Sequence, residues 1–321
     1  MDKELQVVES CDVPENPESG MIYRLLPKNV DEEYYRERTD RNIGWITREE
    51  QDILRNSVVG IAGCGGMGGQ LAQIFTRLGI GEIRIADCES FDISNINRQF
   101  AAFRSTVGKN KALETARMLR TVSDDLRLTV YVDGVCDRTV GSFVAGCDVI
   151  CDEIDFWALG ARILLHKYAR DNNVSLFNCN TIGFGTRLFL FTPSSMTMEE
   201  CLGFSYQEGL GLQIKIQSKK ASMEEIRLVA NRMYDRLFPE LPEYSVGCKS
   251  NRDTILERTI LGKAPILATN PSMATGFLAD RVLLYLLRNS PRSIVQTPET
   301  PGYLYFDAAR MEAKAVQGKW W

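Results

Sequence analysis

Val58-Val59-Gly60-Ile61-Ala62-Gly63-Cys64-Gly65-Gly66-Met67-Gly68-Gly69 is the stretch that decides the fold. The run Val58 to Ala62 is short, apolar and bounded by glycine, which predicts a buried strand. Past Gly68, apolar residues recur at helical spacing. Glycine permits the tight turn between the two and lets a pyrophosphate approach the backbone, while the helix amino terminus offers unpaired N–H groups and partial positive charge. Asp87 ends the next strand, 24 residues after Gly63. A carboxylate there can accept hydrogen bonds from ribose hydroxyls. This context points to an adenine nucleotide; the bland alternative is that the glycines only allow close helix–strand packing.

Outward from this loop, strand and helix patterns alternate. Strands are expected at 58–62, 82–86, 127–132, 147–151 and 174–179, and helices at about 67–78, 109–121 and 157–171. Such alternation argues for an α/β, Rossmann-like, doubly wound and mainly parallel sheet. Arg187 to Phe191 reads as an added antiparallel strand, and the last thirty residues as a hairpin of Tyr303–Phe306 against Met311–Val316. Capping boxes at Thr47/Glu50 and Ser222/Glu225 open two helices, and a long helix is expected over 272–288. Residues 205–262 otherwise read as polar and irregular. Residues 1–45, interrupted by Pro14 and Pro17 and charged from Asp31 to Asp40, read as an extension, either a solvated tail or an ordered arm. The expected organisation is therefore an arm at 1–45, a nucleotide-binding half at 46–180, and a substrate-binding and dimerisation half at 181–321.

The 321 residues carry a net charge of −4 with 44% hydrophobic residues. That is the profile of a globular chain large enough to bury a core without disulfide or metal staples. A mildly acidic balance speaks against nucleic acid as the main partner. The apolar windows near Pro265 to Leu287 are broken by Asn270, Pro271, Asp280 and Arg281, so no membrane partner is expected. The amino terminus shows no basic start followed by an apolar run. Nine scattered cysteines without a CxxC pair fit a reducing compartment. Most read as small buried residues, and a cytoplasmic location is expected.

The same glycine fingerprint serves NAD, FAD and ATP, so the reaction must be read from the segments that follow: Asp92-Ile93-Ser94-Asn95-Ile96-Asn97-Arg98-Gln99-Phe100 and Gly108-Lys109-Asn110-Lys111. A triphosphate under attack needs fixed cations around the reacting phosphoryl group, and Arg98 and Lys111 can supply them. Asp155, just past the strand Val149 to Cys151, lies at the carboxyl edge of the sheet, where a hard oxygen ligand could hold magnesium. Each residue also has an ordinary reading. Arg98 and Lys111 could be surface charges, Asp155 a helix N-cap and Asn95 a turn residue. His166, the lone histidine, on an apolar helix face, reads as packing.

These motifs together resemble the ThiF/MoeB branch of the ubiquitin-activating-enzyme superfamily. The resemblance rests on GCGGMGG at 63–69, Asp87, SNINRQ at 94–99, VGKNK at 107–111 and the strand ending Cys151-Asp152-Glu153-Ile154-Asp155. It covers residues 40–192 well and 263–287 weakly. It implies an adenylyltransferase that uses ATP and Mg2+: a carboxylate of a peptide or small protein attacks the α-phosphate and pyrophosphate leaves. Carried over by position, Gly63, Gly65, Gly66 and Gly68 would cradle phosphate and Asp87 would hold the ribose. Asn95, Arg98 and Lys111 would contact the triphosphate, and Gln99 would stand among the cofactor-binding residues. Asp155 would bind magnesium or orient the α-phosphate. Arg41, in Asp40-Arg41-Asn42, would reach across a homodimer interface to the partner's nucleotide.

The sequence also departs from that branch. Its sulfur-carrier activators hold zinc with two CxxC pairs, since four thiolates close a tetrahedral site. Here the first pair's place reads Met198-Glu199-Glu200-Cys201 and no second pair exists, so no structural zinc is expected. Cys248, beside Lys249, is the one candidate acceptor thiol, with an inert surface thiol as the alternative. Both departures favour members that modify ribosomally made precursor peptides in antibiotic maturation. The competing readings are activation of a ubiquitin-like sulfur carrier, an NAD-dependent oxidoreductase, and a non-catalytic binding module.

Overall fold

The computed structural model describes residues 5–238 and 251–319. The chain divides into two compact units, Met1–Glu153 with Thr275–Ser293, and Ile154–Ala274 with Ile294–Trp321.

In the first unit six strands, β1 (Gln6–Ser10), β2 (Met21–Leu25), β3 (Val58–Ala62), β4 (Glu82–Ala86), β5 (Arg127–Tyr131) and β6 (Val149–Asp152), lie in the order β1-β2-β5-β4-β3-β6. The pairs β5–β4, β4–β3 and β3–β6 are parallel, and β2 adds antiparallel to β5. Read from β3, the strand order is that of a Rossmann half, and it reverses direction between β4 and β6, on either side of β3. Ligands bind in such folds outside the carboxyl ends of the strands at this switch point. β3 is buried from Val59 to Ala62, as expected of a strand covered on both faces. Five helices belong to this unit: α1 (Glu32–Thr39), α2 (Arg48–Asn56), α3 (Gly68–Leu78), α4 (Lys111–Val122) and α5 (Val140–Val144). α3 buries Leu71, Ala72 and Phe75, so the stripe expected from the sequence is the face that it buries.

The second unit contains α6 (Leu159–Asp171), then β7 (Leu176–Ile182) and β8 (Gly185–Phe191) as an antiparallel pair, and the helices α7 (Met198–Leu202), α8 (Tyr206–Gln217), α9 (Met223–Arg236) and α10 (Asn251–Ile260). β9 (Tyr303–Asp307) pairs antiparallel with β8, and β10 (Glu312–Val316) with β9. One further helix, α11 (Thr269–Leu286), starts in the second unit and ends in the first. Among the described residues no helix is long and apolar enough to cross a membrane.

Two expectations need correction or refinement here. Residues 205–262 are not irregular, because α8 and α10 flank the expected helix α9. α8 escapes a periodicity reading because it carries Gly209 and Gly211 in its interior. At Gly209 a Cβ would come within 2.8 Å of Ile163 Cδ1, and at Gly160 of α6 within 2.7 Å of the Leu210 Cα. Glycine is required at this helix–helix crossing, and the helix has its own capping box, Ser205 with Glu208. Between Gln6 and Asn42 the chain forms β1, β2, α1 and a 3₁₀ turn rather than a tail. The carboxylate of Asp125 takes two hydrogen bonds from Arg38, Nε to Oδ2 at 2.6 Å and Nη2 to Oδ1 at 2.9 Å, and Arg38 Nη1 also donates to the Thr76 carbonyl.

That fork fastens α1 to the body of the first unit. Removing one partner of a largely buried ion pair strands the other, a loss of about 3–5 kcal/mol. Asp125→Ala should therefore lower stability in urea by about 3 kcal/mol. A loss below about 0.5 kcal/mol, the usual size of a surface substitution, would mean that α1 is not fastened there.

Candidate active site

The phosphate loop follows β3 without slack. Gly63 N donates to the Ala86 carbonyl at 2.7 Å, Glu153 N to the Ala62 carbonyl at 2.8 Å, and Asp87 N to the Tyr131 carbonyl at 3.1 Å, so the ends of four strands, β3 to β6, are aligned at the switch point. Gly63 has φ +102°, and a Cβ at Gly68 would lie 1.9 Å from the Gly63 carbonyl oxygen. α3 therefore begins against the strand end, with no space for a side chain. Its N-cap, Met67, makes no side-chain cap, and its first turn holds no acidic residue, whereas Asp31, Thr47 and Asn110 cap α1, α2 and α4. The uncapped N–H groups and the helix dipole suit an anion.

Asp87 sits beside this loop. Its Oδ2 accepts from Cys64 N at 2.7 Å and its Oδ1 from Glu89 N at 2.8 Å. Burial pushes its carboxyl up to about 6, against the opposing pull of Lys111 and of those two backbone donors. Lys111 opens α4 and is buried; its Nζ pairs with Glu89 Oε2 at 2.6 Å. Asn110 caps the same helix by accepting from Leu113 N at 3.1 Å, and its Nδ2 donates to the Asp87 carbonyl at 3.2 Å. One residue thus fixes both the start of α4 and the strand end that carries Asp87.

The segment 92–99 is built around Asn95, which is buried; its Oδ1 accepts from Asp92 N at 3.0 Å in a reciprocal cap. Its amide nitrogen remains the group that a phosphate oxygen could use. Arg98 Nη1 donates to the Ser94 carbonyl at 3.0 Å and Asn97 Oδ1 at 2.8 Å. Gln99 is buried, and its Oε1 has no hydrogen-bond partner among the described residues. A side chain at Gly65 would come 3.7 Å from Gln99 Nε2, so the glycine keeps the space between loop and glutamine open. Burying an amide oxygen without a partner costs about 1–3 kcal/mol, which a ligand donor would recover.

The residues inferred from sequence therefore fall into three groups. Gly63, Gly65, Gly66, Gly68, Asp87 and Lys111 are gathered at one end of the first unit, with Gln99 against the loop and Asn95 and Arg98 in its segment. Arg41 is exposed in the turn Asp40–Asn42, and no hydrogen bond joins it to the loop among the described residues. Asp155 is exposed in the second unit, where its Oδ1 accepts from Trp157 N at 2.9 Å in a local turn rather than a helix cap. Sequence reasoning missed Glu89 and Asn110. The signal for Asn110 was its place immediately before the apolar pattern of α4; Glu89, an acidic residue in a loop, carried none.

Cys201 and His166 fall outside this group. Cys201 is buried and its thiol is pushed up to about 12 by burial; Cys248 lies outside the described residues. Among the described residues no group of three or more His, Cys, Asp or Glu side chains could hold a metal ion. His166 is buried and packs edge-on against Phe191, ring centroids 4.6 Å apart.

The ThiF family matches residues 39–319. The chain belongs to this family. Among curated relatives, tRNA threonylcarbamoyladenosine dehydratase of Bacillus subtilis is 42% identical over 41% of this chain and 52% of its own length. The Escherichia coli sulfur carrier protein ThiS adenylyltransferase is 28% identical over 46% of this chain and 58% of its own. The chain thus spans about half the length of these two relatives. Among solved structures, E. coli MccB with ATP aligns over 92% of this chain and 75% of its own at TM-score 0.60 and 19% identity. PaaA aligns over 90% and 84% at TM-score 0.60 and 16% identity. These likenesses establish a ThiF/MoeB-type Rossmann-like fold.

Asp87 supplies the sign of a pH test. Folding raises its pKa above the ordinary 3.8, so the carboxylate weighs against the folded state as pH rises from about 4 through about 6, and that weight is fully present above 6. Asn loses one of the two acceptors at every pH, so the expected signature is the pH dependence: the urea midpoint of Asp87→Asn relative to the wild type should be higher at pH 7.5 than near pH 4. An equal difference from the wild type at both pH values would remove burial as the cause. Adenosine does not titrate in this range, and its binding to the wild type should weaken as pH falls below 6.

Proposed function

We propose that this chain adenylates a carboxylate on a peptide or small protein, forming an acyl-adenylate and releasing pyrophosphate. The observation that carries the reading is the pairing of an uncapped phosphate loop with the buried cation Lys111 at the same strand ends. A nicotinamide dinucleotide needs the loop and Asp87 but not the lysine.

In this mechanism Gly63, Gly65, Gly66 and Gly68 let phosphate approach the loop, the amides after Cys64 bind it, and Asp87 accepts from the ribose hydroxyls. Asn95 donates its amide hydrogens to a phosphate oxygen, and the unpartnered Oε1 of Gln99 accepts from a nucleotide hydroxyl or amine. Lys111 and Arg98 hold the charge that develops as a substrate carboxylate oxygen bonds to the α-phosphorus and the bridge to the β-phosphate breaks. No proton is transferred, so the reaction needs cations more than a general base. One carboxylate together with nucleotide phosphates is a donor set that magnesium accepts. Asp155 would hold the ion, which supplies further charge neutralisation when bound.

The substrate we favour is a ribosomally made precursor peptide in the maturation of a natural product such as an antibiotic. Its support is the structural likeness to MccB, which has been solved both with ATP and with MccA. The second reading, a ubiquitin-like sulfur carrier, is favoured by the sequence match to the ThiS adenylyltransferase. The buried Cys201 thiol and the missing CxxC pairs weigh against it. We further place the protein in the cytoplasm as a homodimer in which Arg41 serves the partner's nucleotide.

ATP with magnesium should raise the melting temperature and NAD should not, since a ligand stabilises only the state that binds it. Stabilisation by NAD alone would overturn the adenylation reading. Lys111→Ala and Asp155→Ala should each lower substrate-dependent ATP–pyrophosphate exchange on the order of 10²-fold or more, the scale for one lost charge partner in the transition state. Wild-type exchange would remove that residue from the site. Mixed Arg41→Ala and Asp155→Ala subunits should regain activity, because one site of the mixed dimer then holds both intact residues; continued inactivity of proven heterodimers would exclude action in trans.

A further inference from the structure

Met198 and Glu199, in the stretch that takes the place of the first CxxC pair, line a cavity of about 680 Å³ in the second unit. Small-molecule sites have volumes of about 300–1,000 Å³ and a mainly apolar lining with a few fixed polar groups. Ile163, Val174, Leu176, Phe191 and Met198 form the apolar lining here. α6 adds Ile163, His166, Lys167 and Arg170 from one face, at the 3, 4 and 7 spacing of a helical stripe.

The walls are fastened to each other. Arg170 Nη1 donates to the Pro193 carbonyl and Nη2 to the Ser195 carbonyl, which ties α6 to the loop 192–197. Thr192 N donates to Ser195 Oγ at 2.9 Å and Met196 N to the Thr300 carbonyl at 3.1 Å, so the loop is held at both ends. Glu199 Oε1 accepts from Tyr206 N at 2.7 Å. These bonds use two of the five guanidinium hydrogens and one of the two carboxylate oxygens, so both charged groups are held in place with capacity for a ligand.

The charged residues of the lining are Lys167, Arg170, Asp171 and Glu199, two of each sign. A wholly apolar molecule would strip water from them without return. Nucleic acid would call for a basic face, and a metal for a cluster of ligands that the described residues do not form. Two cations on α6 with an anion on the opposite wall, over an apolar floor, complement a molecule that carries both charges on an apolar body.

We propose that this cavity binds a free α-amino acid with a large apolar side chain. Arg170 and Lys167 take its carboxylate, Glu199 takes its ammonium, and the side chain lies against Phe191 and Met198. No residue of the phosphate loop belongs to this site, which is a second ligand site on the chain and does not depend on the adenylation reading.

His166 is the single histidine of the chain and lines the cavity, so its imidazole Cε1–H gives one NMR resonance that reports from this place. The full chain should show a saturable shift of that resonance with L-phenylalanine. N-acetyl-phenylalanine, which offers only the carboxylate, and phenylalaninamide, which offers only the ammonium, should each bind about tenfold more weakly or worse, the scale of one lost charged hydrogen bond. Glu199→Gln keeps an oxygen for Tyr206 N and Lys167 is exposed, so Glu199→Gln and Lys167→Gln should melt as the wild type does and lose affinity for L-phenylalanine by a similar factor. No saturable shift up to the solubility limit of phenylalanine would overturn the proposal. Equal binding of either derivative would make the cavity a site for a peptide terminus instead, and unchanged affinity in both variants would remove the charges from recognition; each of these results overturns it as well.

Discussion

The first unit is organised by the absence of a side chain at Gly68. A Cβ there would lie 1.9 Å from the Gly63 carbonyl, far inside contact distance, so helix and strand can meet this closely only with glycine at that position. Because α3 starts so near the end of β3, its uncapped amides stay level with the ends of β4 and β6. If α3 were shifted outward along the chain by even one residue, the helix amino terminus and Asp87 would no longer address the same volume. Nearby features follow from that alignment: Asn110 ties α4 to the Asp87 carbonyl, and Glu89 N caps the Asp87 carboxylate.

The parallel core was legible in the sequence. β3 and β4 occupy the residues expected, and β5, β6, α3 and α4 lie within two residues of expectation, because each combines a strong apolar period with glycine or capping punctuation. The glycines and Asp87 were legible for the same reason, since a turn chemistry at a strand end leaves a local signature. What escaped depends on partners remote in sequence. β1 pairs with β2 across Pro14 and Pro17, which read as breaks, and β2 finds β5 about a hundred residues away. α8 was lost because its glycines, counted against a helix by propensity, are there for close approach to α6. The roles of Glu89 and Arg38 were equally invisible, for an ion pair between distant residues leaves no pattern in either stretch.

Six helices receive a side-chain cap, whereas α3, α5 and α6 do not, and of these three α3 is the one that opens on the glycine loop at the strand ends. α1, α2, α4, α7, α8 and α9 all receive a side-chain cap, five of them from Ser, Thr or Asn. α3 has a capable strand end, a glycine-rich approach and no cap. Its amides cost stability unless water or a ligand meets them. The unsatisfied Oε1 of Gln99 adds to the same deficit on the facing side. Stability withheld from this corner is available to whatever binds there.

The Lys111–Glu89 pair gives the site the character of an ion exchanger. The lysine is buried but its partner's side chain is half exposed, so Glu89 can swing into water while the ammonium stays fixed. In the mechanism we propose, a phosphate arriving at Lys111 displaces a tethered counter-ion rather than meeting a bare cation. A protein whose overall charge is −4 can thereby keep a buried cation ready for a polyanion without holding an open positive surface that would collect every anion in solution.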